Sequence, residues 1–83
     1  MAMTVSYFAW VRERMGVAEE VIEKPATVAT VRELVAWLAE RDERGALAFV
    51  EPGRIRAAID GAMVGPDALL GDEVALFPPV TGG

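Results

Sequence analysis

Alternating apolar and polar positions near the start of the chain predict a β-strand. The segment 4–10 is rich in β-branched and aromatic residues, and strict alternation places Val5, Tyr7 and Ala9 on one face. Because the opposite face also carries apolar groups, this strand is expected inside a sheet rather than at its edge. A short helical turn and a second strand at 19–23 follow closely, which favours an antiparallel pair.

One amphipathic helix is predicted in the middle of the chain. Thr30 and Glu33 fit a capping box, in which each side chain satisfies a free amide of the first helical turn. The apolar stripe that follows at helical spacing consists of Val31, Leu34, Val35 and Leu38. Gly45 is expected to end this helix, and the ambiguous segment 46–52 is expected to form a short 3₁₀ piece.

Three more short strands are predicted in the second half of the chain. They occupy 54–60, 62–64 and 73–77, and Asp60-Gly61 is a hairpin signal between the first two. The resulting order β, β, α, β, β, β predicts an α+β domain of the β-grasp type. We expect a mixed sheet of about five strands, one main helix packed on one face, and the first and last strands side by side in the middle. Periodicity alone leaves another two-layer α+β fold open.

Composition restricts the chemistry more than the fold. The 83 residues suffice for one domain, expected at 1–77, followed by an extended tail at 78–83. The chain has no cysteine and no histidine, which excludes disulfides, a thiol nucleophile and the usual zinc or iron–sulfur ligands, so no metal site is expected. A net charge of −5 disfavours nucleic acid and membranes and favours a basic partner surface. Because neither a targeting segment nor a membrane span is visible, the chain is expected to be cytoplasmic.

Two features of the tail would allow it to extend from the domain and enter a narrow space. Pro78 and Pro79 prevent ladder pairing after the last strand and keep the chain extended. Gly82 and Gly83 then provide an end without side chains, where the backbone can approach another surface closely. Such a tail can enter a narrow tunnel in a partner, although an inert terminus is the alternative interpretation.

Two phenylalanines are candidates for a partner interface. Phe8 and Phe77 fall on the faces opposite the predicted core rows, so they form an exposed apolar patch beside the tail if the helix covers those rows. A loop that covers them is the alternative. Arg12 is a further candidate, which would pair with an acidic group of the partner, and a solvated surface arginine is the alternative there.

The tail and the opening strand together resemble one family. Gly71-Asp72-Glu73-Val74-Ala75-Leu76-Phe77-Pro78-Pro79-Val80-Thr81-Gly82-Gly83 resembles the C-terminal signature of the MoaD-type molybdopterin synthase small subunits, which are ubiquitin-like sulfur carriers. Tyr7-Phe8-Ala9, Val11-Arg12-Glu13 and Gly16 resemble the first strand and following turn of that family. One departure is Leu76, where members of the family often carry an aromatic residue.

The resemblance implies a carrier that is not catalytic alone. The Gly83 carboxylate would be adenylated by an ATP-dependent adenylyltransferase of the ubiquitin-activating type and converted to a thiocarboxylate. The tail, formed by Pro78, Pro79, Val80, Thr81 and Gly82, would then enter the large subunit and deliver sulfur to precursor Z, the cyclic pyranopterin. An α2β2 heterotetramer with the large subunit is implied. No cofactor is implied on the chain itself, because ATP is used by the activating enzyme.

Three other functions stay open at this point. A sulfur carrier of thiamine synthesis would share the fold and the Gly-Gly end, although the Phe-Pro-Pro-Val-Thr stretch favours the molybdopterin branch. A protein modifier or carrier for tRNA thiolation is the second alternative, and its signature would be a covalent conjugate. The third is an interaction module in which the tail has no role.

Overall fold

A five-stranded mixed sheet with helices packed on one face forms the protein. The computed structural model describes residues 2–79. The elements are β1 (Ala2–Tyr7), α1 (Ala9–Met15), β2 (Glu19–Glu23), α2 (Val31–Arg41), α3 (Glu43–Ala48), a 3₁₀ turn (Pro52–Arg54), β3 (Arg56–Ile59), β4 (Ala62–Val64) and β5 (Glu73–Phe77).

The strands lie in the order β2-β1-β5-β3-β4. The strands β1 and β5 pair in parallel, with Tyr7 opposite Leu76, while β1–β2, β5–β3 and β3–β4 are antiparallel. The first and last strands therefore lie side by side, and the last one occupies the centre of the sheet. This arrangement confirms the predicted β-grasp fold.

The core lies between the sheet and the helices. The predicted inward rows of β1 and β5 are buried, as is the apolar stripe of α2 (Val5, Tyr7, Val74, Leu76, Val31, Leu34, Val35 and Leu38). The predicted capping box is present at the start of α2. The Thr30 hydroxyl accepts a hydrogen bond from the Glu33 amide at 3.2 Å, and the Glu33 carboxylate accepts one from the Thr30 amide at 3.0 Å.

The prediction that the first strand continues to Trp10 is wrong. The strand ends at Tyr7, and Ala9 has a φ of +52° and begins α1. Ala9 is therefore exposed on a helix and does not extend the core row of β1. The early turn allows Val11 and Met15 to be buried before Gly16, with a φ of +80°, ends α1 as predicted.

The prediction that Gly45 ends the main helix is also wrong. The helix α2 ends at Arg41 because Asp42 is extended, and the Asp42 carboxylate caps α3 by accepting a hydrogen bond from the Gly45 amide at 2.8 Å. Gly45 is buried inside α3, where a Cβ would lie 1.8 Å from the Leu38 carbonyl oxygen. This glycine therefore permits two helices to touch. The 3₁₀ piece expected at 46–52 lies later, because α3 occupies the first half of that segment.

Candidate functional site

The tail leaves the sheet where β1 and β5 end together. Beyond the last parallel pair, the Phe8 amide donates a hydrogen bond to the Leu76 carbonyl at 3.2 Å. The strand β5 then ends at Phe77, and Pro78 and Pro79 follow outside any strand and partly buried. The two central strands therefore fix the point and the direction from which the tail starts.

The two predicted interface aromatics lie at this point. Phe8 is extended, continues the outward row that begins with Ser6 in β1, and is 51% exposed. Phe77 occupies the matching outward position at the end of β5 and is partly buried. The structure brings both residues to one end of the face opposite the helices, as predicted, with Phe8 the more exposed. Their role at a partner interface stays a prediction.

Next to Phe8, four strands of the sheet present a row of small or apolar side chains, which ends at Glu19 opposite Ser6 on β2. Ser6, Ala75, Ala58 and Met63 form one row across four strands, because each pairs with the next in register. Met63, at the outer end of this row, is 62% exposed. Within residues 2–79, the helices pack on the other face. We call this row, together with Phe8 and Phe77, the open face.

Two arginines flank the start of the tail. Arg12 is exposed on α1, one helical turn after Phe8, and its side chain has no hydrogen-bond or ion-pair partner among the described residues. Arg56 lies opposite Phe77 across β3 and β5, and its guanidinium donates to the Gly53 carbonyl at 2.8 Å. Two cations of a chain with net charge −5 therefore lie near the base of the tail. The pairing of Arg12 with an acidic partner group stays a prediction.

A polar cluster that the sequence reasoning missed lies behind this site. The Tyr7 hydroxyl donates to the Glu20 carboxylate at 2.7 Å, and Arg41 donates to both oxygens of the same carboxylate at 2.9 and 2.8 Å. Through Tyr7, the residue before Phe8, the cluster connects β1 to β2 and α2. A signal was available, since Glu20 shares its strand face with the core residue Ile22 and so needs a cation nearby.

The electrostatics of this cluster suit positioning rather than proton transfer. Burial, with the hydrogen bond to Glu20, raises the pKa of Tyr7 far above its ordinary value, so its hydroxyl stays protonated. The hydrogen bond from Arg41 lowers the pKa of Glu20, so that carboxylate stays ionised at neutral pH. Neither group changes its protonation near neutral pH, so the cluster holds β1 and α2 together below Phe8.

The end of the predicted tail lies outside the described residues. Val80, Thr81, Gly82 and Gly83, all assigned to the tail by sequence, belong to this part of the chain. Within residues 2–79, no group of three acidic side chains is arranged to hold a metal ion. No helix in that range is both long and apolar enough to cross a membrane.

Two known proteins with the same name are similar to this chain over nearly its whole length. The molybdopterin synthase sulfur carrier subunit of Escherichia coli K12 is 44% identical over 81 residues, which cover 95% of this chain and 96% of that protein. The protein of the same name from Haemophilus influenzae Rd is 39% identical, with 98% and 99% of the two chains covered.

Solved structures agree with this comparison. A Pyrococcus furiosus protein proposed to be molybdopterin converting factor subunit 1 superposes with a TM-score of 0.73 at 34% identity, covering 96% of this chain and 99% of that one. The small archaeal modifier protein 1 of Methanosarcina acetivorans superposes with a TM-score of 0.69 at 27% identity, covering 99% and 96%. The ThiS family model matches residues 5–83. With a shared fold, close relatives and a family match over almost its full length, the chain belongs to the ThiS family.

Proposed function

We propose that this chain is the sulfur carrier subunit of a molybdopterin synthase. The observation that carries the proposal is the 44% identity to the Escherichia coli sulfur carrier subunit over 95% of the chain. The fold supports it, because the parallel strands β1 and β5 end together beside the exposed Phe8, where Pro78 begins the tail. The large subunit of the synthase is then the partner that receives the tail.

The reaction on the tail follows from the chemistry of a carboxylate. A free carboxylate is a poor acyl donor, because its leaving group would be oxide. In the proposed sequence an ATP-dependent adenylyltransferase converts the Gly83 carboxylate to an acyl adenylate. A sulfur donor then attacks the carbonyl, the carbon–sulfur bond forms, and AMP leaves with the bonding electrons. The product is a thiocarboxylate, which requires no cysteine on the carrier.

The catalytic groups are assigned to the partners. Tyr7, whose pKa burial raises far above its ordinary value, and Glu20, whose pKa the hydrogen bond from Arg41 lowers, are each held in one protonation state near neutral pH. The carrier would therefore supply the sulfur and a docking surface, formed by the open face and Arg12. The large subunit, as an α2β2 heterotetramer with this chain, would bind precursor Z and assist sulfur transfer.

Reconstitution tests this proposal directly. The chain is incubated with the activating enzyme, ATP and a sulfur donor, and intact mass spectrometry follows replacement of one oxygen by sulfur at Gly83. The thiolated chain with the large subunit should convert precursor Z to molybdopterin, and neither protein should do so alone. Conversion by the isolated chain, or no thiolation with active enzyme, would contradict the carrier function.

A protein modifier is the second candidate, and one observation favours it. The small archaeal modifier protein 1 of Methanosarcina acetivorans shares the fold at 27% identity over 99% of this chain. A modifier would form an isopeptide bond between its C-terminus and lysines of other proteins. Expression of a tagged chain in its host, followed by denaturing electrophoresis, separates the two functions, because only the modifier yields a ladder of covalent conjugates.

A further inference from the structure

The chain contains a single side-chain amine. Seven of the eight basic residues are arginines, and Lys24 is the single lysine. A lysine amine loses its proton at accessible pH and then attacks acyl groups, whereas a guanidinium stays protonated and does not. The location of Lys24 therefore decides whether the domain can acylate itself through a lysine.

Lys24 is held at the end of the sheet opposite to the tail. It directly follows β2, whose last residue, Glu23, pairs with Ala2 at the start of β1. The Lys24 ammonium donates a hydrogen bond to the Val28 carbonyl at 2.7 Å and is partly buried. The Lys24 nitrogen is therefore engaged by a carbonyl only four residues away in the chain.

The separation exceeds the length of the tail. Ala2 and Tyr7 mark the two ends of β1 and lie about 17 Å apart at ~3.3 Å per residue. Lys24 lies one residue beyond one end, and Pro78 lies two residues beyond Leu76 at the other, which gives roughly 25 Å. The segment 78–83 spans at most about 20–22 Å, and only if it runs back along the sheet fully extended.

The positions nearest to the tail carry arginine instead. Arg56 pairs with Phe77 across β3 and β5 on the open face, where directly opposite Cβ atoms lie about 4.5–5.5 Å apart. Arg54, in the 3₁₀ turn, and Arg12, on α1, are both exposed. A lysine at position 56 would place an amine within reach of a tail that starts one residue after Phe77.

We propose that this end of the sheet is kept free of amines so that the activated C-terminus does not acylate its own domain. This inference rests on the proposed function, in which that C-terminus becomes an acyl adenylate. In the reaction avoided, a neutral amine attacks the carbonyl, a nitrogen–carbon bond forms, the bond from the carbonyl carbon to AMP breaks, and the amine proton passes to solvent. The product is an internal amide, lighter than the free acid by one water, and carries no sulfur.

The test uses chemical activation, so that it does not depend on any activating enzyme. The chain is produced with a C-terminal thioester by intein cleavage and incubated at mildly alkaline pH, with intact mass spectrometry over time. The wild-type thioester should hydrolyse to the free acid. Arg56→Lys should instead form the internal amide, in an amount at least about tenfold above wild type, because its amine lies opposite Phe77 and within the length that residues 78–83 can span.

Two control substitutions show whether amide formation depends on where the lysine lies. Ala2→Lys adds the same amine at the exposed start of β1, at the end of the sheet opposite to the tail, and Lys24→Arg removes the only lysine, so both should behave like wild type. Arg54→Lys serves as a second probe if Arg56→Lys does not melt like wild type. Equal amide from wild type and both probes, or as much from Ala2→Lys as from Arg56→Lys, would overturn the inference.

An enzymatic arm separates this inference from the proposed function. The same variants are incubated with activating enzyme, ATP and sulfur donor. If the Arg56→Lys thioester forms the internal amide, the inference is supported. If, in addition, the enzyme activates none of the variants, the carrier function is contradicted. Thiolation of wild type together with unchanged thioester hydrolysis in both probes would support the carrier function and overturn the inference.

Discussion

The two faces of the sheet differ in what their apolar residues do. The covered face, packed against the helices, contains Val5 and Leu76, both fully buried, and it also contains the ionic cluster around Glu20. The open face carries Phe8 and Met63, of which half or more of the surface remains exposed. Burial on the covered face stabilises the fold, whereas exposed apolar area on the open face adds little to it.

This difference underlies our prediction of which residues bind a partner. A large side chain that remains exposed after folding is not explained by stability, and a contiguous exposed patch marks an interaction surface. The tail starts from the same end of the open face, beside Phe8. Substitutions on the two faces should therefore separate melting temperature from sulfur transfer.

The largest effect is expected from deletion of Gly83. The reactive carbonyl would end one residue short, by about 3.3–3.6 Å, and a misplacement of even about 1 Å can cost a hundredfold in a positioned reaction. Sulfur transfer to precursor Z should be lost while the melting temperature stays unchanged. Gly82→Ala and Gly83→Ala should be impaired through the added Cβ. Thiolation and transfer at the wild-type rate by the deletion variant would contradict the mechanism.

On α2, which packs against the covered face, Leu34→Ala should destabilise the fold strongly. Leu34 is fully buried in the core, and such truncations cost about 2–5 kcal/mol of unfolding free energy. The control is Val21→Ala, since Val21 is 69% exposed on β2 and its truncation should change stability by no more than about 0.5 kcal/mol. Denaturant titration of both variants measures the difference, and similar losses would show that the two faces contribute alike.

The sequence predicts the covered face better than the junctions. Strand alternation and helical spacing identified Val5, Leu76 and the stripe of α2, because burial on one face imposes a period. Gly45 was misassigned, since its requirement is a contact with Leu38, seven residues earlier on another helix, which no local pattern encodes. The end of β1 was misplaced for a similar reason, because the turn at Ala9 serves the burial of α1.

The candidate site was predictable to a similar extent. Period-two alternation placed Phe8 and Phe77 outside the core rows, and the structure puts them at one end of one face. The pairing of Glu20 with Arg41 was not predicted, because these residues lie far apart in sequence and meet only when α2 packs over β2. Polar groups that pair only after folding produce little recognisable pattern in the sequence.

On the open face, Phe8→Ala should weaken binding to the large subunit while leaving the fold nearly intact. Truncation of a central interface anchor costs about 2 kcal/mol or more in binding, whereas Phe8, half exposed, contributes much less to stability than a buried phenylalanine. Calorimetric titration and thermal melting of the same variant measure both. Leu69→Ala, a truncation at a more exposed residue outside the open face, should change neither. A large melting loss with unchanged binding would assign Phe8 to the core.

The smallest effect is expected from Glu20→Gln, and its pH dependence identifies it. The pKa of Glu20 is lowered in the folded protein, chiefly by the hydrogen bond from Arg41. Its ionised form therefore stabilises the fold at pH values above the unfolded pKa near 4.5. This contribution is lost as the pH falls through the lower pKa of the folded protein. Because the side chains of the pair are about a quarter exposed, the loss at neutral pH should be about 1–2 kcal/mol. The difference from wild type should shrink below about pH 4.5 as Glu20 becomes protonated. Glu19→Gln, one residue earlier and exposed, removes a carboxylate from the same strand and should leave the unfolding free energy nearly unchanged at neutral pH. A pH-independent difference for Glu20→Gln would mean that packing, rather than the charge of Glu20, holds β2 to α2.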